Sequence, residues 1–298
     1  MRLQGSLIGP VRREESLARH TTFRIGGPAA LFVECASVAD LSRAISVLQE
    51  EAVDWTILGK GSNVLVSDAG YEGAILTLGR DFKRHTVENG HLRTGAGVLL
   101  AAVVQDAFKL GLSGLEFAVG IPGTVGGALA MNAGSRDEWM SSIVETVTLY
   151  SPAEGLVAVR GPEVAWGYRR SGLRDRGIIV ETVLRVSESD VVDIRRSMEA
   201  SLRRRRRTQP LSVPNAGSIF VNPVGTSAGH LIEAAGLMGC RVGGAMVSDI
   251  HANFIVNTGG ASAEDVVALI LLVRQTVKEA NGIELKPEIR FLGRFSEA

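Results

Sequence analysis

Two glycine-rich loops, GKGSN at 59–63 and GIPGTVGGA at 120–128, constrain this chain more than any other feature. Clustered glycines at the end of an extended run let successive backbone N–H groups converge on an anion without interference from Cβ. The segments around the loops alternate between strand and helix character, which favours an α/β or α+β architecture over a bundle or a sandwich. LFVECA at 31–36 reads as a strand, and Ser37 caps a helix whose apolar face is Val38, Leu41, Ile45 and Leu48. Short β runs follow at 55–58, 64–66 and 74–78. A helix over 99–110 leads into the second loop and Asn132, and strands at 143–150 and 178–186 enclose YRRS at 168–171. A polar helix over 190–207 bridges to a last unit. That unit holds NAGSIFVNP at 215–223, a helix around 230–235, HANFIVN at 251–257, a helix over 262–280 and PEIRFLG at 287–293.

Composition narrows the class. With 298 residues, 45% of them apolar, the chain has enough material for more than one core. Lys+Arg and Asp+Glu are both 32, so no global field attracts nucleic acid or an anionic membrane. Cys35 and Cys240 form neither a disulfide framework nor a zinc-ligand spacing, and both are expected to be small core residues. The N-terminal stretch MRLQGSLIGPVRREE lacks the apolar run of a signal peptide, and no segment reaches the ~18 apolar residues of a spanning helix. A cytoplasmic protein with no metal, no nucleic-acid partner and no membrane association is expected.

GKGSN is not the dinucleotide fingerprint, because Val64 stands where the third glycine should fall and a strand follows instead of a helix. A P-loop is absent as well. A phosphate cradle and a plain tight turn both remain open for this loop. GIPGTVGGA adds the Thr124 hydroxyl and a stiffening proline, and two such loops can grip the two ends of a pyrophosphate.

HTTFRIGG at 20–27, GKGSN, GIPGTVGGALAMNAG, YRRS, NAGSIFVNP, HANFIVN and PEIRFLG occur in one order and spacing over nearly the whole chain. In this register the chain resembles the UDP-N-acetylenolpyruvoylglucosamine reductase (MurB) family, in its shorter class lacking an inserted tyrosine-bearing loop. The resemblance implies an α+β fold: an FAD-binding domain of the vanillyl-alcohol-oxidase (PCMH) type over 19–188, with subdomains at about 19–78 and 79–188, a connecting helix at 189–207 and an α+β substrate domain at 208–298. It implies FAD as cofactor, NADPH as co-substrate, UDP-N-acetylglucosamine enolpyruvate as the small-molecule substrate, and a monomer.

It also implies roles for residues. Hydride delivered to C3 of the enolpyruvyl group leaves carbanion character at C2, beside a carboxylate. Arg169 of YRRS matches the family's catalytic arginine, suited to hold that carboxylate by two parallel charge-assisted hydrogen bonds. Arg170 adjoins it, and the spacing to Tyr168 and Ser171 favours Arg169. Glu288 matches the catalytic glutamate; protonated, it would donate to the developing enediolate. Ser218 matches the proton donor to C2. Cofactor contacts are expected from Gly59, Lys60, Gly61, Ser62, Asn63, Gly123, Thr124, Gly126, Asn132, Arg203 and Arg290, and substrate contacts from Asn222, Asn253 and Arg206.

Arg203–Arg207 are five consecutive arginines that cover every face of a helix, so most are expected to be solvated, with Arg203 and Arg206 turned to phosphates. Three departures from the family pattern stand out. Val221 replaces a customary lysine, Cys240 often corresponds to an aromatic residue, and SRDEWMS at 135–141 is unlike the usual glycine and tyrosine stretch. Two other readings compete: a flavoprotein of the same fold with another substrate, and a binding protein without turnover, which only Val221 supports. GTSAG at 225–229 matches a nucleophile elbow with Ser227, but Asp249 and His251 follow too closely for the sheet strands that separate hydrolase triad members.

Overall fold

The computed structural model describes residues 5, 7–88, 90–135 and 138–295. By packing, the chain divides into two compact units. The first comprises Met1–Arg12, Leu31–Lys60 and Gly73–Arg203; the second comprises Arg13–Ala30, Gly61–Glu72 and Arg204–Ala298. The sequence reading drew contiguous boundaries, whereas here two stretches of the N-terminal half pack with the C-terminal unit.

The first unit is built on a five-stranded antiparallel sheet in the order Gly155–Arg160, Val144–Ser151, Ile178–Arg185, His91–Gly95, His85–Glu88. Its central strand, IIVETVLR, is buried along most of its length, as a strand covered on both faces must be. Thr182 is the polar exception; it is fully buried, and its hydroxyl donates to the Thr146 carbonyl at 2.7 Å. The pair 85–95 was not anticipated from the sequence. In the same unit Trp55–Ile57 pairs in parallel with Ala74–Leu76, with Trp55 opposite Ala74.

Helix α1, Val38–Glu50, begins as expected: the Ser37 hydroxyl accepts from the Asp40 N–H at 3.2 Å. Its buried face carries Leu41, Ala44, Ile45, Val47 and Leu48. Asp40 is buried too, and its carboxylate accepts from the backbone of Ile8, Gly9 and Ala36 at 3.0–3.1 Å. Helix α2 spans Leu100–Lys109, α3 spans Val125–Ala130 and α4 spans Val191–Thr208. Thus the second glycine-rich loop is half helix. Cys35 is buried in this core, where burial and the neighbouring carboxylates push its thiol up to about 12.

In the second unit a sheet ordered Asn215–Ser218, Phe254–Asn257, Ala245–Val247, Arg241–Val242 packs with helix α5, Ala228–Ala234, and helix α6, Ala263–Asn281. A capping box formed by Ser262 and Asp265 starts α6, and Gly282, at φ 69°, ends it in the left-handed conformation. Seven of its side chains, from Ala263 to Val277, are buried, the larger ones worth about 1.5–3 kcal/mol each. Arg290–Leu292 pairs in parallel with Val64–Val66. Asp68 accepts from the N–H groups of Ala263 and Glu264 at 2.8 and 3.1 Å, and the Asn257 amide donates to the Phe23 carbonyl at 3.1 Å. These bonds are why 13–30 and 61–72 belong with the C-terminal unit. Cys240 is half-buried against this core. Among the described residues no helix is long and apolar enough to cross a membrane.

Candidate active site

In the first unit the YRRS segment forms a tight hairpin. Trp166 pairs with Ser171 and Gly167 with Arg170, which leaves Tyr168 and Arg169 as a two-residue turn. Arg169 has φ 55°, a left-handed conformation that non-glycine residues seldom take and that marks functional sites when the surroundings enforce it. Its guanidinium lies 5.3 Å from the Trp139 ring and 5.5 Å from the Tyr168 ring, and Nη1 donates to the Gly134 carbonyl at 3.3 Å. Arg170 is exposed. The two arginines are therefore structurally distinct, with Arg169 the organised one.

Asn132 is 5% exposed, and its amide is committed to protein partners. Nδ2 donates to the Gly167 carbonyl at 3.2 Å, and Oδ1 accepts from the Ser141 N–H at 3.0 Å. These two bonds tie the Arg169 hairpin to Ser141, and the cofactor contact expected of Asn132 stands beside that tie as a proposal. Ser171 adds a second tie, its hydroxyl donating to the Ala130 carbonyl at 3.2 Å.

The two loops meet within this unit. A Cβ on Gly59 would lie 2.6 Å from Thr124 Oγ1. Thr124 caps α3, accepting from the Gly127 N–H at 3.3 Å. The Gly126 N–H donates to the Ala96 carbonyl, and a Cβ there would lie 2.9 Å from the Ala96 methyl, so Gly126 serves close packing. Gly123 has φ 132°, and Lys60 is exposed. Neither loop contains a carboxylate; both offer small residues and a hydroxyl, and the first adds one ammonium, Lys60. A pyrophosphate-bearing cofactor fits that donor set. Arg203 is exposed and pairs with Glu199 at 3.2 Å.

In the second unit, Gly61 has φ 64°, and a Cβ on it would lie 2.4 Å from the His20 carbonyl oxygen. The Thr22 N–H donates to the Gly61 carbonyl, and the Thr22 hydroxyl donates to the Asn215 carbonyl at 2.7 Å. Asn63 donates to the Glu288 carbonyl at 3.4 Å, and its own carbonyl accepts from the Arg290 N–H at 3.1 Å. Ser218 lies opposite Phe254, and the Glu288 N–H donates to the Ile219 carbonyl at 2.7 Å. Ser218 and Glu288 thus stand on adjoining extended segments, both half-buried. Ser62 is half-buried, its carbonyl oxygen 4.0 Å from where a Cβ on Gly217 would stand, and the Arg290 side chain is exposed.

Two residues expected at the substrate also bond backbone. Asn253 is 3% exposed; Oδ1 accepts from the Phe220 N–H at 2.9 Å and Nδ2 donates to the Phe220 carbonyl at 2.8 Å. It clamps the strand that bears Ser218. Asn222 is exposed and accepts from the Ala228 N–H at 3.0 Å, at the start of α5. His251 Nδ1 accepts from the Asn253 N–H at 3.1 Å, and burial pushes this imidazole below the ordinary histidine value. Within the arginine run, Arg206 is exposed while Arg205 is 7% exposed, its Nη1 donating to Gln209 at 3.5 Å. Arg205 was missed, because five identical residues carry no facial pattern. Among the described residues no cluster of three or more His, Cys, Asp or Glu side chains is placed to hold a metal ion.

Comparison with known proteins settles the family. Residues 209–292 match the profile of the UDP-N-acetylenolpyruvoylglucosamine reductase C-terminal domain, and residues 29–159 match an FAD binding domain. The chain is 45% identical over 287 residues to the UDP-N-acetylenolpyruvoylglucosamine reductase of Heliobacterium modesticaldum, covering 96% of this chain and 91% of that one. The chain belongs to the UDP-N-acetylenolpyruvoylglucosamine reductase family. It is also 40% identical over 289 residues to UDP-N-acetylenolpyruvoylglucosamine reductase 1 of Bacillus cereus, at 96% coverage of each. The crystal structure of the reductase (MurB) from Thermus caldophilus superposes with TM-score 0.85 at 37% identity, over 96% of this chain and all of that one. The α+β reading, an FAD-binding domain followed by a C-terminal domain, is borne out. The chain is a flavoprotein oxidoreductase by family.

Proposed function

We propose that this protein reduces the enolpyruvyl ether of UDP-N-acetylglucosamine enolpyruvate to the lactyl ether of UDP-N-acetylmuramate, for peptidoglycan synthesis, with NADPH as donor. The observation that carries the reading is Ser218 beside Glu288 on adjoining segments, in a chain whose relatives bear the reductase name. Bound FAD would supply hydride transfer from NADPH to C3 of the enolpyruvyl group. Gly59, Lys60, Gly61, Ser62, Asn63, Gly123 and Thr124 would hold its pyrophosphate, with Arg203 and Arg290 as further cations.

The chain's own residues manage charge and proton. Addition of hydride at C3 leaves an electron pair at C2, delocalised into the adjoining carboxylate. The Arg169 guanidinium binds that carboxylate more strongly as its charge grows, so it stabilises the transition state more than the ground state. Glu288, in its protonated form, donates a hydrogen bond to the same oxygens. Ser218 Oγ then gives its proton to C2; the hydroxyl is a weak acid, but the acceptor is strongly basic. Hydride at C3 and a proton at C2 complete the saturation of the double bond. Arg206 would favour the substrate diphosphate. The reading includes a monomer acting in the cytoplasm on a small molecule, and the balanced charge supports the absence of a nucleic-acid partner.

Ser218→Ala tests the assignment. Flavin bleaching by NADPH should persist while reoxidation by the enolpyruvyl substrate slows by about 10²–10⁴, and Glu288→Gln should follow the same pattern. Equal loss in both half-reactions would remove Ser218 from the proton-donor role.

A further inference from the structure

We infer that Trp139 is a positioning residue for the reaction: with Tyr168 it forms an aromatic clamp that fixes the direction of the Arg169 guanidinium. This rests on the reading of Arg169 as the group that binds the substrate carboxylate. An arginine at the tip of a two-residue turn has a long side chain and few local restraints, and freezing it costs rotamer entropy. Here three restraints converge. The Trp139 ring stands 5.3 Å from the guanidinium carbon and the Tyr168 ring 5.5 Å from it, while the two rings meet edge to face at 5.9 Å and 73°. The third restraint is the bond from Nη1 to the Gly134 carbonyl.

The Trp139 ring is itself held. Trp139 pairs with Gly134 in a two-stranded antiparallel ladder, and a Cβ on Gly134 would lie 2.7 Å from the indole, so the ring packs against bare backbone. The same Gly134 offers the carbonyl that Arg169 uses. Asn132 completes the device, bonding the Gly167 carbonyl on the arginine hairpin and the Ser141 N–H just beyond Trp139. Arginine and clamp are therefore tied to each other through backbone at both ends. A ring face attracts a guanidinium without using its N–H donors, so those donors stay directed in the plane, where a carboxylate accepts two of them. Pre-orientation of this kind acts on transition-state stabilisation.

The test combines kinetics with NMR on the FAD-loaded enzyme. Trp139→Leu removes the ring face and keeps an apolar side chain, and Trp139→Phe keeps a smaller face. The clamp predicts that W139L lowers kcat/KM for UDP-N-acetylglucosamine enolpyruvate about tenfold, that W139F loses less than about threefold, and that W139L adds no further loss in an Arg169→Lys background. The Nε–H resonance of Arg169, identified by its disappearance in R169K, should shift downfield in W139L as the ring current is removed. Wild-type substrate reduction by W139L, with R169K impaired, would overturn the clamp and leave the reading of Arg169 standing. Full substrate reduction by R169K would overturn both. An equal W139L loss with and without Arg169 would show a general structural role and also overturn the clamp. If W139L does not fold, Trp139→Met is judged by the same criteria.

Discussion

The Arg169 hairpin and the Ser218 strand hold their side chains by different means. Arg169 sits on a two-residue turn in a left-handed conformation, steadied by two rings and by Asn132, so its order is local and carried by side chains. Ser218 sits in a lattice of backbone bonds, where Asn253, Glu288, Thr22 and Asn63 each fasten a neighbouring peptide. The lesson is that an arginine gripping a carboxylate needs its side chain aimed, whereas a short serine goes wherever its peptide is placed. Substitutions around Arg169 should therefore change turnover with little effect on stability. Around Ser218 they should change stability first.

Beyond the Ser218 and Glu288 variants, the largest expected effect contrasts two adjacent arginines. Arg169→Ala should lower kcat/KM for the enolpyruvyl substrate by about 10²–10³, and Arg170→Ala should leave it within a few-fold; comparable losses would erase the distinction between them. Next comes Asn253→Ala, which strands a buried N–H and carbonyl of Phe220 and should cost roughly 2–4 kcal/mol of unfolding free energy, measurable by urea titration. An unchanged midpoint would contradict the lattice account.

A glycine pair sharpens the comparison further. Gly61→Ala drives a Cβ into the His20 carbonyl at a left-handed φ and should cost about 1–3 kcal/mol. Gly59→Ala meets the Thr124 hydroxyl that caps α3, so it should cost about 1 kcal/mol through the disturbed cap, and its larger effect should appear as weakened FAD retention. The smallest effect is pH-dependent. Burial lowers the folded-state pKa of His251, opposed by its own backbone hydrogen bond and by Glu233. The unfolded chain therefore takes up this proton first. Its contribution to stability is whole above the ordinary value of about 6.5 and is lost as pH falls from there toward the folded pKa. His251→Asn should flatten the decline in melting temperature across that window.

Much of the architecture was legible because local chemistry and fold agree. Ser37 caps its helix as expected, and helices over 99–110, 190–207 and 262–280 appear within a residue or two, whereas the helix that Thr124 caps lies within a segment read as a loop. The hairpin at 85–95 was not read from the sequence: an Asn-Gly pair stands at 89–90 between HTVE and HLRTG, but the charged residues mask the alternation. Motif register could rank Ser218, Glu288 and Arg169 but could not tell a ligand contact from a clamp. The amides of Asn132 and Asn253 suit either task, and their protein partners, 35 and 33 residues away in sequence, lie beyond any local pattern. The buried Arg205 and the ring of Trp139 likewise depend on contacts that no local pattern encodes.

The central claim is that this chain passes electrons from NADPH to an enolpyruvyl UDP-sugar, and the most direct measurement is an anaerobic absorbance titration of the purified protein. The expected result is a yellow protein that NADPH bleaches and UDP-N-acetylglucosamine enolpyruvate then recolours. A protein that takes up no FAD, or one bleached by NADPH and left colourless by that substrate, would contradict it.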